Sequence, residues 1–165
     1  MPLLKPDRYF TRISAIDIDA DLISRGKDVL LLDIDNTLRS RETDGIPDDV
    51  TSWLDCAREK GIRMCLVSNN WHADVHAFAA GLGMPIVARA CKPLPFAYMR
   101  AFRQSGIDRA RAVAIGDQLT TDIWGAHAVG VPAFLVEPLA EKDLRHTKVV
   151  RRFERAVLGD LRPER

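Results

Sequence analysis

The sequence predicts an α/β fold, a doubly wound parallel sheet of about five strands. Three observations predict it. Short apolar runs alternate with stretches of helical periodicity along the 165 residues, the pattern of strands joined by crossover helices. The most apolar run, Val29-Leu30-Leu31-Leu32, is unbroken and so reads as a strand covered on both faces. It stops at Asp33-Ile34-Asp35, two acids at the carboxyl end of a strand, where open α/β sheets bind ligands.

Each element follows in order. Residues 1–12 are mixed, interrupted by Pro2 and Pro6, and offer no clear element. Ile16, Ile18, Leu22 and Ile23 suggest a short helix, with Gly26 a suitable left-handed stop. The first strand runs over about 28–34, and a polar loop covers 39–45. Pro47 suits the first turn of a helix whose Val50, Trp53, Leu54 and Ala57 recur at helical spacing before Gly61. A second buried strand, 62–67, ends at Ser68-Asn69-Asn70. Val75, Phe78, Ala79 and Leu82 then mark one face of a helix, and 85–88 is a short third strand. Lys92-Pro93 precedes a helix carrying Phe96, Met99 and Phe102. The fourth strand, 112–115, ends at Gly116-Asp117; a helix near 122–129 stops at Gly130; the fifth strand is 133–136. The tail beyond Glu137 ends in a basic amphipathic helix.

Right-handed crossovers place the first strand in the middle, with the second and third on one side and the fourth and fifth on the other. The order reverses between the first and fourth, whose tips face one crevice. That brings Asp33 and Asp35 to Asp117, with Ser68 arriving from next door.

Composition sets the frame. A content of 47% hydrophobic and 28% charged residues is ordinary for a globular domain. A net charge of +1 gives no sign of a nucleic-acid partner, and none is expected. Cys56, Cys65 and Cys91 form no C-x-x-C pair, which suits a reduced compartment. No apolar stretch approaches the roughly 20 residues of a membrane span, and Pro2, Lys5, Pro6 and Asp7 interrupt any leader-like run. The expected location is cytoplasmic.

Several chemistries compete for the acids. A calcium loop requires Gly and Glu where Leu38 and Asp44 stand. No Gly-rich phosphate loop of the Walker or dinucleotide type occurs. Two acids that merely cap the next turn remain an alternative. Phosphoryl transfer fits better, with Asp33 attacking phosphorus and Asp35 protonating the leaving oxygen, then activating water. Asp33, Asp117 and a phosphate dianion outweigh Lys92, and Mg²⁺ held by carboxylates would offset the excess. Ser68 can donate to a phosphoryl oxygen. Asp122 would order Lys92 or a metal-bound water.

Asp33-Ile34-Asp35-Asn36-Thr37, Ser68, Lys92-Pro93 and Gly116-Asp117-Gln118-Leu119-Thr120-Thr121-Asp122 together resemble, in order, the four motifs of haloacid dehalogenase-like (HAD) phosphatases. Asp-Asn-Thr-Leu, Ser-Asn-Asn, Ala-Cys-Lys-Pro and Gly-Asp-Gln-x-x-Thr-Asp are similar to subfamily IIIA, in the branch of YqeG-type proteins and phosphatidylglycerophosphatases. At 165 residues the chain is expected to be a single domain, 1–165, and the resemblance, which spans about 28–136, implies a Rossmann-like core there. It implies Mg²⁺ dependence and an aspartyl-phosphate intermediate, and leaves the residues before the core as an N-terminal extension. It also implies Asp33, Asp35 and Lys92 as catalytic residues and Thr37, Ser68, Asn69 and Lys92 around the phosphate. Asp33, Asp35 and Asp117 stand at the metal, with Asp122 behind them. Arg39-Ser40-Arg41 is more basic than this branch leads one to expect.

Thr37 and Ser68, and again Ser68 and Lys92, are separated only by one helix and one strand's worth of chain. That leaves no room for a lid domain, so the site is expected to be capless and open. An open site suits phosphate carried on something large, a membrane lipid or a macromolecule, or calls for a partner that excludes water; the substrate expected is phosphatidylglycerophosphate, at the inner face of the membrane. The tail's Val149, Val150, Phe153, Val157 and Leu161, beside Lys148, Arg151, Arg152, Arg155 and Arg162, is either a surface helix meeting anionic headgroups or a docked terminal helix with a solvated basic face. His72 and His76 lie one turn apart without a third zinc ligand, and Cys91 has no nucleophilic role while Asp33 holds that place. Trp53 and Phe78 are expected in the core, and Trp124 either flanks the pocket or anchors its helix. The reading from a different class is a catalytically idle module that uses the crevice to bind a phosphorylated or protein partner.

Overall fold

The computed structural model describes residues 3–43, 45–106, 108–140 and 156–165. Its strands are β1 (Arg8–Phe10), β2 (Val29–Leu32), β3 (Arg63–Val67), β4 (Ile86–Val87), β5 (Ala112–Gly116) and β6 (Ala133–Val136). They form one sheet in the order β1-β6-β5-β2-β3-β4, and every pairing is parallel. The α-helices that pack on it are α1 (Asp48–Glu59), α2 (Asp74–Gly81), α3 (Phe96–Ser105) and α4 (Trp124–Ala128). The expected order of five strands is present, with one more strand at the edge.

Side-chain alternation along each strand divides the core in two. Leu30, Leu32, Met64, Leu66, Val113 and Ile115 pack on one face with Val50, Trp53 and Leu54 of α1 and Val75 and Ala79 of α2. Val29, Leu31, Cys65, Val67, Ala112 and Ala114 pack on the other with Ala97, Tyr98 and Ala101 of α3 and Ala126 of α4. A strand apolar on both faces is therefore sandwiched between helices, which is the meaning of the unbroken run in β2. Trp53 satisfies its indole within that core by donating to the Ile16 carbonyl at 2.7 Å. Phe78 is only partly buried against it.

Three differences from the sequence expectation have physical causes. The edge strand β1 was not expected, because three residues carry too little periodicity to read. It is fixed by fully buried Phe10 and by Arg8, which pairs with Asp21 at 2.5 Å and with Glu164. The segment before Gly26 is not one helix but a 3-10 turn (Ile13–Ala15), a π turn (Ile18–Leu22) and a second 3-10 turn (Ile23–Arg25). Asp17 caps it by accepting from the Asp19 and Ala20 amides, and Gly26 closes it at φ +69°. Along α3 the inward face carries Ala97, Tyr98, Ala101 and Phe102, whereas Phe96 is 69% exposed and Met99 turns partly outward. Both faces of that helix offer apolar residues, so periodicity alone could not choose between them. The basic tail helix expected from the sequence lies mostly outside the described residues. Within them, Val157 and Leu158 pack against the second core cluster. Among the described residues, no helix is long and apolar enough to cross a membrane.

Candidate active site

The carboxyl ends of β2, β3 and β5 and the loop after β4 converge on a pocket of about 550 Å³. Its lining includes Asp33, Asp35, Ser68, Asn69, Lys92 and Asp122. Asp33 continues β2, its amide donating to the Ile115 carbonyl of β5 at 2.9 Å. Beyond it the chain folds back tightly. The Asn36 amide donates to the Arg39 carbonyl at 2.7 Å, and Asn36 takes φ +64°, a left-handed conformation that Asn tolerates better than most residues. Thr37 is buried by this turn, and its hydroxyl lies 3.4 Å from Asp33 Oδ2.

Lys92 is the hub. Its ammonium donates to Asp33 Oδ1 and to Asp122 Oδ1, each at 2.5 Å. The Asn69 side chain accepts from the Lys92 amide at 2.6 Å and donates to its carbonyl at 3.1 Å. A residue expected at the phosphate thus also clamps the loop after β4 to the loop after β3. Ser68 is buried, and its hydroxyl oxygen accepts from the Asn70 amide at 3.1 Å.

Asp117 and Asp122 complete the arrangement from β5. Carboxylate oxygens of Asp33, Asp117 and Asp122 all lie within 4.8 Å of one another. Asp122 Oδ2 accepts from the Gln118 amide at 3.2 Å, while Asp117 Oδ1 is buried without a hydrogen-bond partner among the described residues. The sequence expectation set Asp35 rather than Asp122 beside Asp33 and Asp117. The carboxylate of Asp35 is not part of this cluster. It accepts from Arg39 at 2.9 Å and faces the Asn70 amide nitrogen at 3.4 Å.

The electrostatics follow from burial. Desolvation pushes the Asp33 carboxyl up to about 6, although the Lys92 ammonium draws it back down. Burial raises Asp117 well above the usual carboxylate range, and Asp33 and Asp122 add to the rise. Burial alone would depress Lys92, but Asp122 and Asp33 more than reverse this and hold it charged. Three acids facing one ammonium, with a buried acceptor left over, form a donor set that fits a hard divalent cation.

Sequence reasoning did not single out Asn70, Trp71 or Gln118, which also line the pocket. Their place after β3 and β5 was readable, but nothing in their residue types announced it. Trp71 is 66% exposed, and its ring lies 5.4 Å from that of His72. Both His72 and His76 are exposed. Trp124 lies away from the pocket, lining a separate apolar groove with Leu3, Leu4 and Val157.

Comparison with known proteins gives the chain relatives. A family model described as haloacid dehalogenase-like hydrolase matches residues 6–130. A Bacillus subtilis (strain 168) protein named "Probable phosphatase YqeG" is 33% identical over 157 residues, spanning 95% of this chain and 91% of that one. Among solved structures, an uncharacterized protein from Listeria monocytogenes serotype 4b superposes with a TM-score of 0.57 at 16% identity, covering 68% of this chain and 83% of that chain. The cobalt-bound deoxy-D-mannose-octulosonate 8-phosphate phosphatase of Haemophilus influenzae gives 0.51 at 12% identity, covering 81% and 88%. At these identities the two structures speak to the fold alone.

Proposed function

This chain belongs to the haloacid dehalogenase-like hydrolase family and is a phosphatase of it, and we propose that it hydrolyses a phosphomonoester in two steps through Asp33. The observation that carries the reading is Asp33 at the tip of the central strand, bonded to Lys92 at 2.5 Å and clustered with Asp117 and Asp122. In the first step a carboxylate oxygen of Asp33 bonds to phosphorus as the bond to the leaving oxygen breaks. Asp35 gives that oxygen its proton. In the second step water attacks phosphorus, Asp35 takes the water's proton, and the acyl-phosphate P–O bond breaks to free Asp33 and phosphate.

Lys92, Ser68 and Thr37 would hold the phosphoryl oxygens, with Asn69 fixing the Lys92 backbone. Asp33 and Asp117, supported by Asp122, would hold Mg²⁺. That ion would supply positive charge against the phosphoryl oxygens and would keep Asp33 ionised. Asp35 contributes to the proton transfers rather than a carboxylate to the metal.

The substrate class we propose is a phosphate carried on a phospholipid, phosphatidylglycerophosphate in the first place. The pocket is open, and the chain that follows Lys92 carries exposed Leu94, Phe96 and Met99. No acid occurs between Asp74 and Asp108, a stretch that includes exposed Arg89, Arg100 and Arg103. Such a surface suits an anionic lipid interface.

Phosphate release from phosphatidylglycerophosphate vesicles, nucleotides and sugar phosphates, with and without Mg²⁺, tests the proposal. Wild type should prefer the lipid, and Asp33→Asn should lose hydrolysis of every substrate. Preference for a small soluble phosphate would remove the lipid assignment. Equal background rates in wild type and Asp33→Asn would instead favour the idle binding module.

A further inference from the structure

Arg39 sits where a charged side chain is costly. It is 6% exposed, and its guanidinium is spread between two carboxylates. Nη2 meets Asp35 Oδ1 at 2.9 Å, and Nη1 meets Asp74 Oδ2 at 3.1 Å. Its Cζ lies 5.1 Å from the centre of the Phe78 ring. The backbone of Arg39 is held too, its amide donating to the Ile34 carbonyl at 3.0 Å. A buried guanidinium with this many constraints cannot swing freely, because each movement would expose an uncompensated charge.

We propose that Arg39 is a positioning residue for the proton transfers of the phosphatase reaction. It engages Oδ1 of Asp35, so that Oδ2, which faces the Asn70 amide nitrogen at 3.4 Å and Arg41 Nη2 at 3.8 Å at the pocket, is the oxygen that carries the proton. Asp74 stands in the first turn of α2, so the guanidinium ties the loop after β2 to that helix. Arg39 reaches Asp35 and Asp74 through two separate nitrogens of its fork, and the single nitrogen of a Lys at this position could not occupy both places. This inference rests on the acid/base role assigned to Asp35 above.

The test is a leaving-group series, kcat/KM for 4-nitrophenyl phosphate, phenyl phosphate and a simple alkyl phosphate, with melting temperature measured alongside. A nitrophenolate departs without help; an alkoxide needs the proton. Asp35→Asn should therefore lose far more on the alkyl phosphate than on the nitrophenyl ester. Arg39→Met should show the same discrimination, about tenfold or more between the two extremes, with KM little changed. Arg39→Lys should lie between wild type and Arg39→Met, and guanidinium ion should restore part of the alkyl phosphatase rate to Arg39→Ala. Should Arg39→Met fail to fold, the Arg39→Lys series alone decides.

If Asp35→Asn discriminates among leaving groups and the Arg39 variants slow all substrates alike, the positioning role is overturned. If Asp35→Asn itself shows no discrimination, the acid/base reading fails first and this inference falls with it.

Discussion

Asp33 and Asp117, borne by adjacent parallel strands and far apart in the chain, bring carboxylate oxygens within 4.8 Å of each other. One oxygen of Asp117 is buried with no hydrogen-bond donor among the described residues. The protein therefore tolerates a repulsion that a bound cation would remove. Asp117→Asn should raise the melting temperature in chelator and abolish the rise that Mg²⁺ produces in wild type. A ligand at a hundredfold excess over its Kd adds about 2.7 kcal/mol when it binds only the folded state, or about 5–10 °C for a domain of this size. Thermal melts of both proteins, with chelator and with Mg²⁺, check it.

The same burial fixes a pH dependence. The Asp33 carboxyl is raised to about 6, above the roughly 3.9 of an unfolded chain. A raised carboxyl favours the folded state most when protonated, so its contribution is complete below the unfolded value and is lost as pH climbs through about 6. Asp117 is shifted in the same direction. Metal-free protein should therefore become less stable from pH 5 to pH 7, by about 1 kcal/mol from Asp33 alone. Calorimetry in chelator measures this slope, and excess Mg²⁺ should reverse it.

Much of this site was legible before the fold. A carboxylate pair at the end of a doubly buried strand can hardly be placed elsewhere than at the sheet's carboxyl edge, and the topological reversal then brings Asp117 to Asp33. Arg39 was less legible. An arginine in a polar loop reads as solvated, and only the tight turn at Asn36 folds it inward against Asp35 and Asp74. The outward turn of Phe96 was hidden for the opposite reason, because a helix with apolar residues on both faces gives periodicity nothing to resolve.

Lys92 neutralises buried Asp122 and half-buried Asp33 at once, at 2.5 Å from each. Lys92→Met keeps the volume and removes the charge, leaving Asp33, Asp117 and Asp122 facing one another. Loss of one member of a buried ion pair costs about 3–5 kcal/mol. We expect a destabilisation of that order in chelator, a smaller one in Mg²⁺, and loss of phosphatase activity in both. Denaturant melts with and without the ion separate the two stabilities.

Phe96 and Met99 lie on the outward face of α3 and belong to neither core cluster. Replacing both with Ser should leave stability within about 0.5 kcal/mol of wild type and leave 4-nitrophenyl phosphate hydrolysis unchanged. Hydrolysis of phosphatidylglycerophosphate in vesicles should fall severalfold. Parallel loss on both substrates would point to a disturbed α3 rather than a lost lipid contact.

Gly116 shows how closely the site is packed. A Cβ at this position would lie 2.3 Å from Asp122 Cγ, nearer than any unbonded pair of carbons can approach. Its backbone is ordinary strand, so conformational freedom is not the reason for glycine here; the acid lying against it is. Asp122 cannot retreat without losing Lys92, and Lys92 cannot follow without losing Asp33. Gly116→Ala should therefore destabilise by about 1–3 kcal/mol, the usual cost of overpacking, and lower kcat on every leaving group to the same extent, because the damage falls on Lys92 and the metal-holding acids rather than on proton transfer. That uniform loss, set against the graded loss expected for Arg39→Met, makes the two variants a matched pair in a single kinetic series.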